Sequence, residues 1–521
     1  MLGKRGFPLL FETVIIYNND EVKAMTQYIC AIDQGTTSTR AILFDQESQM
    51  IAVAQKECEN YYPKPGWVEQ NANLIYASVI SVINEVVAKS NIQMGDIAAI
   101  GITNQRETTV IWDKKTGQPV SFAIIWQSRQ SDSYCVEMKE KGYEDFFYKK
   151  CGLVLDPYFS ASKIRYILDH IENGQERAEN GELLFGTVES FLIWKLTAGK
   201  VHVSDVSNAS RTLLMDLETL NWDDECCRLW NIPKCMLPEI RGNSEIYGYT
   251  AKGLLGDVQI PIASAIGDQQ AALFGQTCFE SGSVKNTYGT GCFLLMNTAD
   301  KVIHSKHGLL SCVGWKLQDK VNYVLEGSVF VGGAAVQWLR DGLQIIRTSA
   351  ETDHRARQAG DSEGVIVVPS FTGLGAPYWK AQVKGAIFGL TRGSNQEHII
   401  RATLESLAYQ TNDVLKAMCE DSQLKISSMQ VDGGASKNDF LMQFQSDISN
   451  TVIRRSLISE TTALGAAYLA GLAVGYWKSK EEIAKQHCIK DQFEPDMDEE
   501  KRRQNLARWQ RAVESVIYFG G

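Results

Sequence analysis

The sequence predicts an α/β chain of two domains built on one plan, and three observations carry that prediction. Apolar strand-like runs are followed by helical repeats, the order that builds an α/β layer. The pattern strand, Gly-Thr turn, strand occurs twice, once at 28–44 and again at 283–296. Finally, 521 residues with 44% hydrophobic content exceed what one core normally holds.

Residues 1–24 read as an extension ahead of the fold, with Met25 where a compact chain begins. Lys4 and Arg5 before the apolar 7–11 resemble a signal peptide, but Glu12 interrupts the run and no small-residue cleavage site follows. The first hairpin pairs 28–32 with 41–44 across Asp33-Gln34-Gly35-Thr36-Thr37-Ser38-Thr39-Arg40. Gly35 lets a ligand approach the backbone, and the N–H groups with Thr36, Thr37 and Ser38 make an anion nest, in which Asp33 suits a hydrated Mg²⁺. The alternative is an ordinary hairpin with a polar turn facing water.

A Pro/Gly-rich loop at 61–70 precedes a helix over 73–89, and 97–103 reads as a buried strand ending in Asn104-Gln105-Arg106-Glu107-Thr108. Another strand, 109–113, leads to 122–127, and 130–240 is a helix-rich insertion holding Asp156-Pro157-Tyr158-Phe159. The strand 260–266 runs into Gly267-Asp268-Gln269-Gln270, which opens an Ala-rich helix ending near Gly275. After the second hairpin come a helix near 334–343, a strand at 365–370, a helix over 396–418 capped by Asn395, a strand at 429–432, and helices from about 439 and 463.

Composition excludes several functions. A net charge of −10 with no Lys/Arg block argues against nucleic acid and anionic membrane as partners. Twelve scattered cysteines without a C-x-x-C pair suggest neither zinc nor a disulfide framework, and read as reduced thiols of a cytosolic protein. The seven histidines show no metal spacing, and no apolar run reaches the length of a membrane span.

Several residues have two readings. Arg106 and Glu107 are either a solvated charge pair or two walls of one pocket at a strand end. Asp268 either caps the following helix or accepts a proton from a substrate hydroxyl. Trp126, Tyr158 and Phe293 are core or ligand contacts. Gly433-Gly434 before a helix suits a nucleotide at a helix N-terminus, or is an ordinary turn.

Taken together, the ordered motifs Asp-Gln-Gly-Thr-Thr-Ser, Asn-Gln-Arg-Glu-Thr, Asp-Pro-Tyr-Phe, Gly-Asp-Gln-Gln-Ala-Ala, Asn-Thr-Tyr-Gly-Thr-Gly and Val-Asp-Gly-Gly closely resemble the FGGY carbohydrate kinases, in the version found in glycerol kinases. The resemblance spans residue 27 to the C-terminal region. It implies two actin-like ATPase (ribonuclease H-like) domains, 25–277 and 278–521, with ATP in the cleft between them. The implied reaction is ATP- and Mg²⁺-dependent phosphorylation of glycerol to sn-glycerol 3-phosphate, in a cytoplasmic homodimer or homotetramer.

Carried over by resemblance, Arg106, Glu107, Tyr158 and Asp268 hold glycerol hydroxyls, with Gln269 a further partner and Trp126 and Phe293 as apolar walls. Thr36, Thr37, Ser38, Arg40, Thr290 and Gly291 contact phosphates, and Gly333, Gln337, Gly434 and Asn438 surround adenosine. Asp33 and Asp268 serve the metal, and Asp268 is the general base. The Gly-rich loop ending in Arg that marks relatives inhibited by fructose bisphosphate has Gln259 instead, and 247–259 lacks the histidine of relatives activated by phosphorylation. The alternatives are a kinase of another polyol or of a ketopentose and, from a different class, an actin-like ATPase.

Overall fold

A computed structural model of the chain describes residues 27–380 and 382–520. The extension expected at 1–24 lies outside them, as does Met25.

The first sheet is built from β1 (Tyr28–Gln34), β2 (Ser38–Phe44), β3 (Met50–Glu57), β4 (Ile97–Asn104), β5 (Ser244–Tyr249) and β6 (Pro261–Gly267). Its spatial order is β5-β6-β4-β1-β2-β3: β1 to β3 form an antiparallel meander, β4 and β6 run parallel to β1, and β5 closes the edge antiparallel. Both faces are covered, so β1 reads as a continuous apolar run whose alternate residues face different partners. Cys30 and Ile32 meet the Ile75, Val79, Val82 and Val86 face of α1 (Ala72–Ser90). Ile29 and Ala31 lie under Ala463, Leu464 and Ala467, from the far end of the chain.

Asn71 caps α1 by accepting from Asn73 N–H at 3.0 Å and Leu74 N–H at 3.4 Å, satisfying donors the helix cannot. With 19 residues and a hydropathy of 1.2, α1 is long and apolar enough to cross a membrane, although the sequence suggested no such segment. Its apolar face packs on the sheet, as a core helix does.

The second sheet repeats the plan. It contains β7 (Val284–Tyr288), β8 (Cys292–Ala299), β9 (Leu310–Leu317), β10 (Lys320–Val329), β11 (Ser428–Asp432), β12 (Val452–Ser456) and β13 (Ile489–Phe493), in the order β9-β10-β8-β7-β11-β12-β13. Antiparallel pairs again lie on one side of β7 and the parallel neighbours β11 and β12 on the other, where β13 closes the edge antiparallel. The helix opening after Gly267 is α2 (Asp268–Gly275), and the helix capped by Asn395 is α3 (Gln396–Ser422), where Asn395 Oδ1 accepts from His398 N–H at 3.1 Å. Two further helices, α4 (Asp439–Ser449) and α5 (Thr461–Val474), follow β11 and β12. The sequence reading missed β9 and β10.

The second half of the chain does not stay on its own sheet. Helix α5 crosses to the first sheet and packs against α2, with glycines at the crossing. A Cβ on Gly275 would lie 2.0 Å from the Thr461 carbonyl oxygen, and one on Gly465 would lie 1.9 Å from that of Ala271. Both obstacles are backbone, which cannot swing aside.

We therefore expect Gly465→Ala to push the two helices apart and cost about 1–3 kcal/mol, as overpacking does. A lowered midpoint in chemical denaturation is the expected result; an unchanged midpoint would show that the crossing has slack.

Candidate active site

Parallel register brings three chain segments to one edge of the first sheet. Asp33 on β1 lies opposite Thr103 on β4, and Gly267 on β6 opposite Asn104. Asp33, Arg106-Glu107 and Asp268 therefore emerge side by side from the C-terminal ends of parallel strands, where α/β sheets bind ligands.

Arg106 and Glu107 are almost wholly buried, so they are not a solvated pair. Arg106 Nη1 and Nη2 grip Glu326 at 2.5 and 2.9 Å, Nη1 also donates to Gln270 at 3.2 Å, and Nε lies 3.2 Å from Asp268. Arg211 Nε donates to Glu107 Oε1 at 2.5 Å, and its Nη2 to Glu326 at 3.1 Å. Burial works against Glu326's charge, but the two arginines prevail and hold its carboxyl down at about 2. Burial raises the Glu107 carboxyl, with Arg211 and Arg106 opposing it.

Glu107 has a left-handed backbone at φ 60°, a costly conformation for a non-glycine residue. Its carbonyl is held by Ser160 and Lys163, each at 3.1 Å, and the Lys163 ammonium also donates to the Tyr158 carbonyl at 2.7 Å. Burial pulls the Lys163 pKa down to about 7.

Asp268 is the first residue of α2, the capping position belonging to Gly267. Its side chain is 31% exposed and bonds the Gln269 N–H at 2.7 Å. Desolvation raises its pKa, while Arg106 and Lys285 lower it. Lys285, buried in β7, donates to the Gln269 side-chain carbonyl, to Thr287 at 3.0 Å and to the Phe293 carbonyl at 3.1 Å. Asp33 is pushed up to about 7 by burial, with Arg40 opposing and Asp268 and Glu460 adding to the rise.

Trp126, Tyr158 and Phe293 are half-buried and meet edge-on. Trp126 stands 5.7 Å from Tyr158 and 6.4 Å from Phe293, ring centre to ring centre. The Trp126 indole N–H donates to Thr36 Oγ1 at 2.8 Å, tying this aromatic wall to the first hairpin turn. In that turn Thr37 is exposed and Ser38 half-buried. Arg40, expected on phosphate, reaches Glu460 at 2.7 Å, just before α5.

A second cluster forms where three turns meet at the end of β7. Gly332 N–H donates to the Thr290 carbonyl and Gly333 N–H to that of Gly289, both at 2.8 Å, pressing one turn onto the second hairpin beside Gly291. Gly433, at φ 87°, passes so close to Tyr288 that a Cβ would sit 2.5 Å from its carbonyl oxygen; a side chain is excluded there. Open space lies beside Gly434. Gln337 is exposed at the end of the helix Gly333–Gln337. Asn438 caps α4 through Leu441 N–H at 2.8 Å and donates to Thr352 at 3.0 Å.

The donor set suits a hard cation. Burial raises the cost of ionising both Asp33 and Asp268, and Asp268 adds to that of Asp33; a hydrated Mg²⁺ would relieve it. Among the described residues no three His, Cys, Asp or Glu side chains converge as a closed metal cluster. The sequence reading missed Lys163, Arg211, Lys285 and Glu326. The one signal for Glu326 is an ionic residue inside an apolar run; Lys285 sits in the polar strand Val-Lys-Asn-Thr-Tyr and carries none.

Comparison with known proteins gives the family of the chain. Residues 28–275 match the N-terminal domain, and 284–474 the C-terminal domain, of the FGGY family of carbohydrate kinases. The chain is 56% identical over 495 residues to glycerol kinases of Geobacillus sp. (strain WCH70) and Bacillus subtilis (strain 168), covering 95% of this chain and 100% of each relative. Among solved structures, Plasmodium falciparum glycerol kinase with ADP superposes with a TM-score of 0.90 at 36% identity, over 94% of this chain and 98% of that one. A Lactobacillus acidophilus gluconate kinase, 23% identical with a TM-score of 0.84 over 95% of this chain and 97% of that one, shares the fold.

Replacing Lys163 by Met should remove the ammonium donor from the Tyr158 carbonyl and leave the Glu107 carbonyl to Ser160 and Thr109, at a cost of about 1–3 kcal/mol of stability. Urea denaturation at neutral pH measures this, and an undiminished midpoint would mean that water replaces the ammonium.

Proposed function

The chain belongs to the FGGY family of carbohydrate kinases, and from that premise we propose that it phosphorylates glycerol with ATP to give sn-glycerol 3-phosphate. Near-full-length identity to glycerol kinases supports the substrate, and likeness to an ADP-bound relative supports the nucleotide.

The observation that carries the reading is the hydrogen-bond valence left at the Arg106-Glu107 pair. An arginine has five N–H donors, and four of those on Arg106 face Glu326, Gln270 and Asp268. One Nη2 N–H remains. Glu107 uses one carboxylate oxygen on Arg211; among the described residues the other accepts no bond. One donor beside one acceptor is the complement of an alcohol, which both donates and accepts. Charged hydrogen bonds of about 1.5–3 kcal/mol each favour such a ligand roughly a hundred- to ten-thousand-fold over one without the hydroxyl. Tyr158 and Gln269 supply further polar contacts, and Trp126 and Phe293 enclose the carbons.

Asp268 acts as general base. Its raised pKa makes it a stronger proton acceptor than a free carboxylate, while Arg106 and Lys285 keep it ionised. It takes the proton of the terminal hydroxyl as that oxygen bonds to the γ-phosphorus; the bond from phosphorus to the bridging oxygen breaks, and ADP leaves. Thr36, Thr37, Ser38 and Arg40 on one hairpin, and Thr290 and Gly291 on the other, donate to the phosphates. Gly333, Gln337, Gly434 and Asn438 line the adenosine side. Asp33 and Asp268 would hold Mg²⁺ through water, where it would neutralise phosphate charge. The twelve cysteines are all free thiols, which fits a cytoplasmic enzyme, and we read it as a homodimer or homotetramer on the family resemblance.

Two measurements test this. ADP release with ATP and Mg²⁺ should depend on glycerol, exceed that with D-xylulose or erythritol, and fall to background without acceptor; acceptor-independent release would point to an ATPase. Asp268→Asn should abolish turnover and retain ATP binding, and near-normal turnover in the folded variant would remove Asp268 as base.

A further inference from the structure

Arg106 and Glu107 do not hold themselves in place. Glu326 takes both outer nitrogens of Arg106 with its two oxygens, at 2.5 and 2.9 Å, fixing the guanidinium plane and the direction of the N–H that remains. Arg211 fixes the Glu107 carboxylate through Nε at 2.5 Å and returns to Glu326 at 3.1 Å. Its guanidinium also lies 5.5 Å from the Tyr158 ring centre and 5.1 Å from that of Phe159. Arg211 thus touches two of the residues assigned to the polyol and, through Glu326, steers a third.

These groups come from different bodies. Arg106, Glu107 and Arg211 follow strands and helices of the first half, whereas Glu326 stands on β10 of the second sheet, opposite Leu310 on β9 and Leu295 on β8. All four side chains are at most 2% exposed. Withdrawing β10 would leave Arg106 and Arg211 as buried neighbours sharing one glutamate, a state that burial makes costly.

We propose that Glu326 and Arg211 are positioning residues that set selectivity for a polyol, and that Arg106 and Glu107 read a hydroxyl only while the second sheet holds Glu326 against them. This rests on the kinase reading above. Neither residue touches the substrate; each acts by orienting one that does.

The test is steady-state kinetics of E326Q and R211K, with circular dichroism and ADP calorimetry establishing the fold. The acceptors are glycerol and 1,3-propanediol, which lacks the middle hydroxyl. Glutamine keeps the shape of Glu326 but can no longer accept from both arginine nitrogens. The expected result is a rise of about ten- to a hundredfold in KM for glycerol, with KM for ATP within about twofold of wild type and the preference for glycerol over propanediol reduced. E326D, which restores the charge, should recover part of the preference.

An unchanged glycerol KM and preference in both folded variants would overturn the proposal, as would equal rises in the KM of glycerol and ATP, which mark general loosening. Should E326Q fail to fold, R211K alone decides by the same criteria. If the wild-type protein itself does not phosphorylate glycerol, the kinase reading fails instead, so the two failures are distinct.

Discussion

The site depends on burying charge between two sheets without leaving any of it unbalanced. Arg106, Arg211 and Lys285 are cations removed from water, and Glu107, Glu326 and Asp268 are the anions that answer them. A buried ion is tolerable only opposite its counterion with its remaining hydrogen bonds filled. That requirement determines where each side chain points. Once Glu326, Gln270, Asp268 and Arg211 have taken their valences, one N–H of Arg106 and one carboxylate oxygen of Glu107 are left. Lys285 bonds only neutral acceptors, the Thr287 hydroxyl and the carbonyls of Gln269 and Phe293, and burial accordingly lowers its pKa to about 8 although Asp432 and Asp268 oppose the fall.

The path of the chain places this cluster where the two halves join. One crossing runs from β6 through α2 to β7, and Asp268 begins that helix; the other runs from β12 to α5, and Glu460 precedes it. Among the described residues three ion pairs bridge the halves, Arg40–Glu460, Arg106–Glu326 and Arg211–Glu326, and they differ in cost. Arg40 and Glu460 are 32% and 28% exposed, and a solvated pair of this kind contributes about 0–1 kcal/mol. Breaking it therefore costs little. The Arg106–Glu326 pair is buried, and separating it strands charge in the interior. Separating the halves therefore costs less at the first hairpin than at Arg106–Glu326, and α2 and α5 pack too closely at their crossing to admit a side chain.

The parts of this arrangement legible in the sequence were those carried by short continuous stretches. Both hairpins, the strand leading to Arg106, the helix opening at Asp268 and the Asn395 cap were placed from local pattern, and the structure has them. Four charged residues that organise the site were not. Glu326 is 220 positions from Arg106 and 115 from Arg211, so no spacing rule connects them; in sequence Glu326 is an isolated charge in an apolar strand and Arg211 one of several polar residues. The docking of α5 on the first sheet was hidden for the same reason. Strands β9 and β10 were missed because Gly314 and the Gln318-Asp319-Lys320 turn break their alternation, and pairing in register with β8 supplies the order that propensity does not. Asn438 shows the opposite limit: the resemblance makes it a ligand contact, and in the structure its side-chain carbonyl caps α4.

On the kinase reading, the same valence argument explains how the site discriminates against water, its most abundant competitor. A water molecule satisfies one donor and one acceptor as well as an alcohol does, so the Arg106-Glu107 pair alone cannot reject it. What water lacks is a carbon skeleton. Only a ligand whose hydroxyl at Arg106-Glu107 is bonded to a chain lying against Trp126 and Phe293 brings a second hydroxyl toward Asp268 as a consequence of the first contact. Water bound at the pair leaves the base without an oriented nucleophile, and the entropy of ordering a second, independent water is not offset by any contact with the aromatic wall. Selectivity then resides in the connection between two hydroxyls, and it requires the pair, the wall and Asp268 to be held rigidly relative to one another. The buried charges hold the pair and Asp268 together, and the Trp126–Thr36 hydrogen bond fixes the wall to the first hairpin.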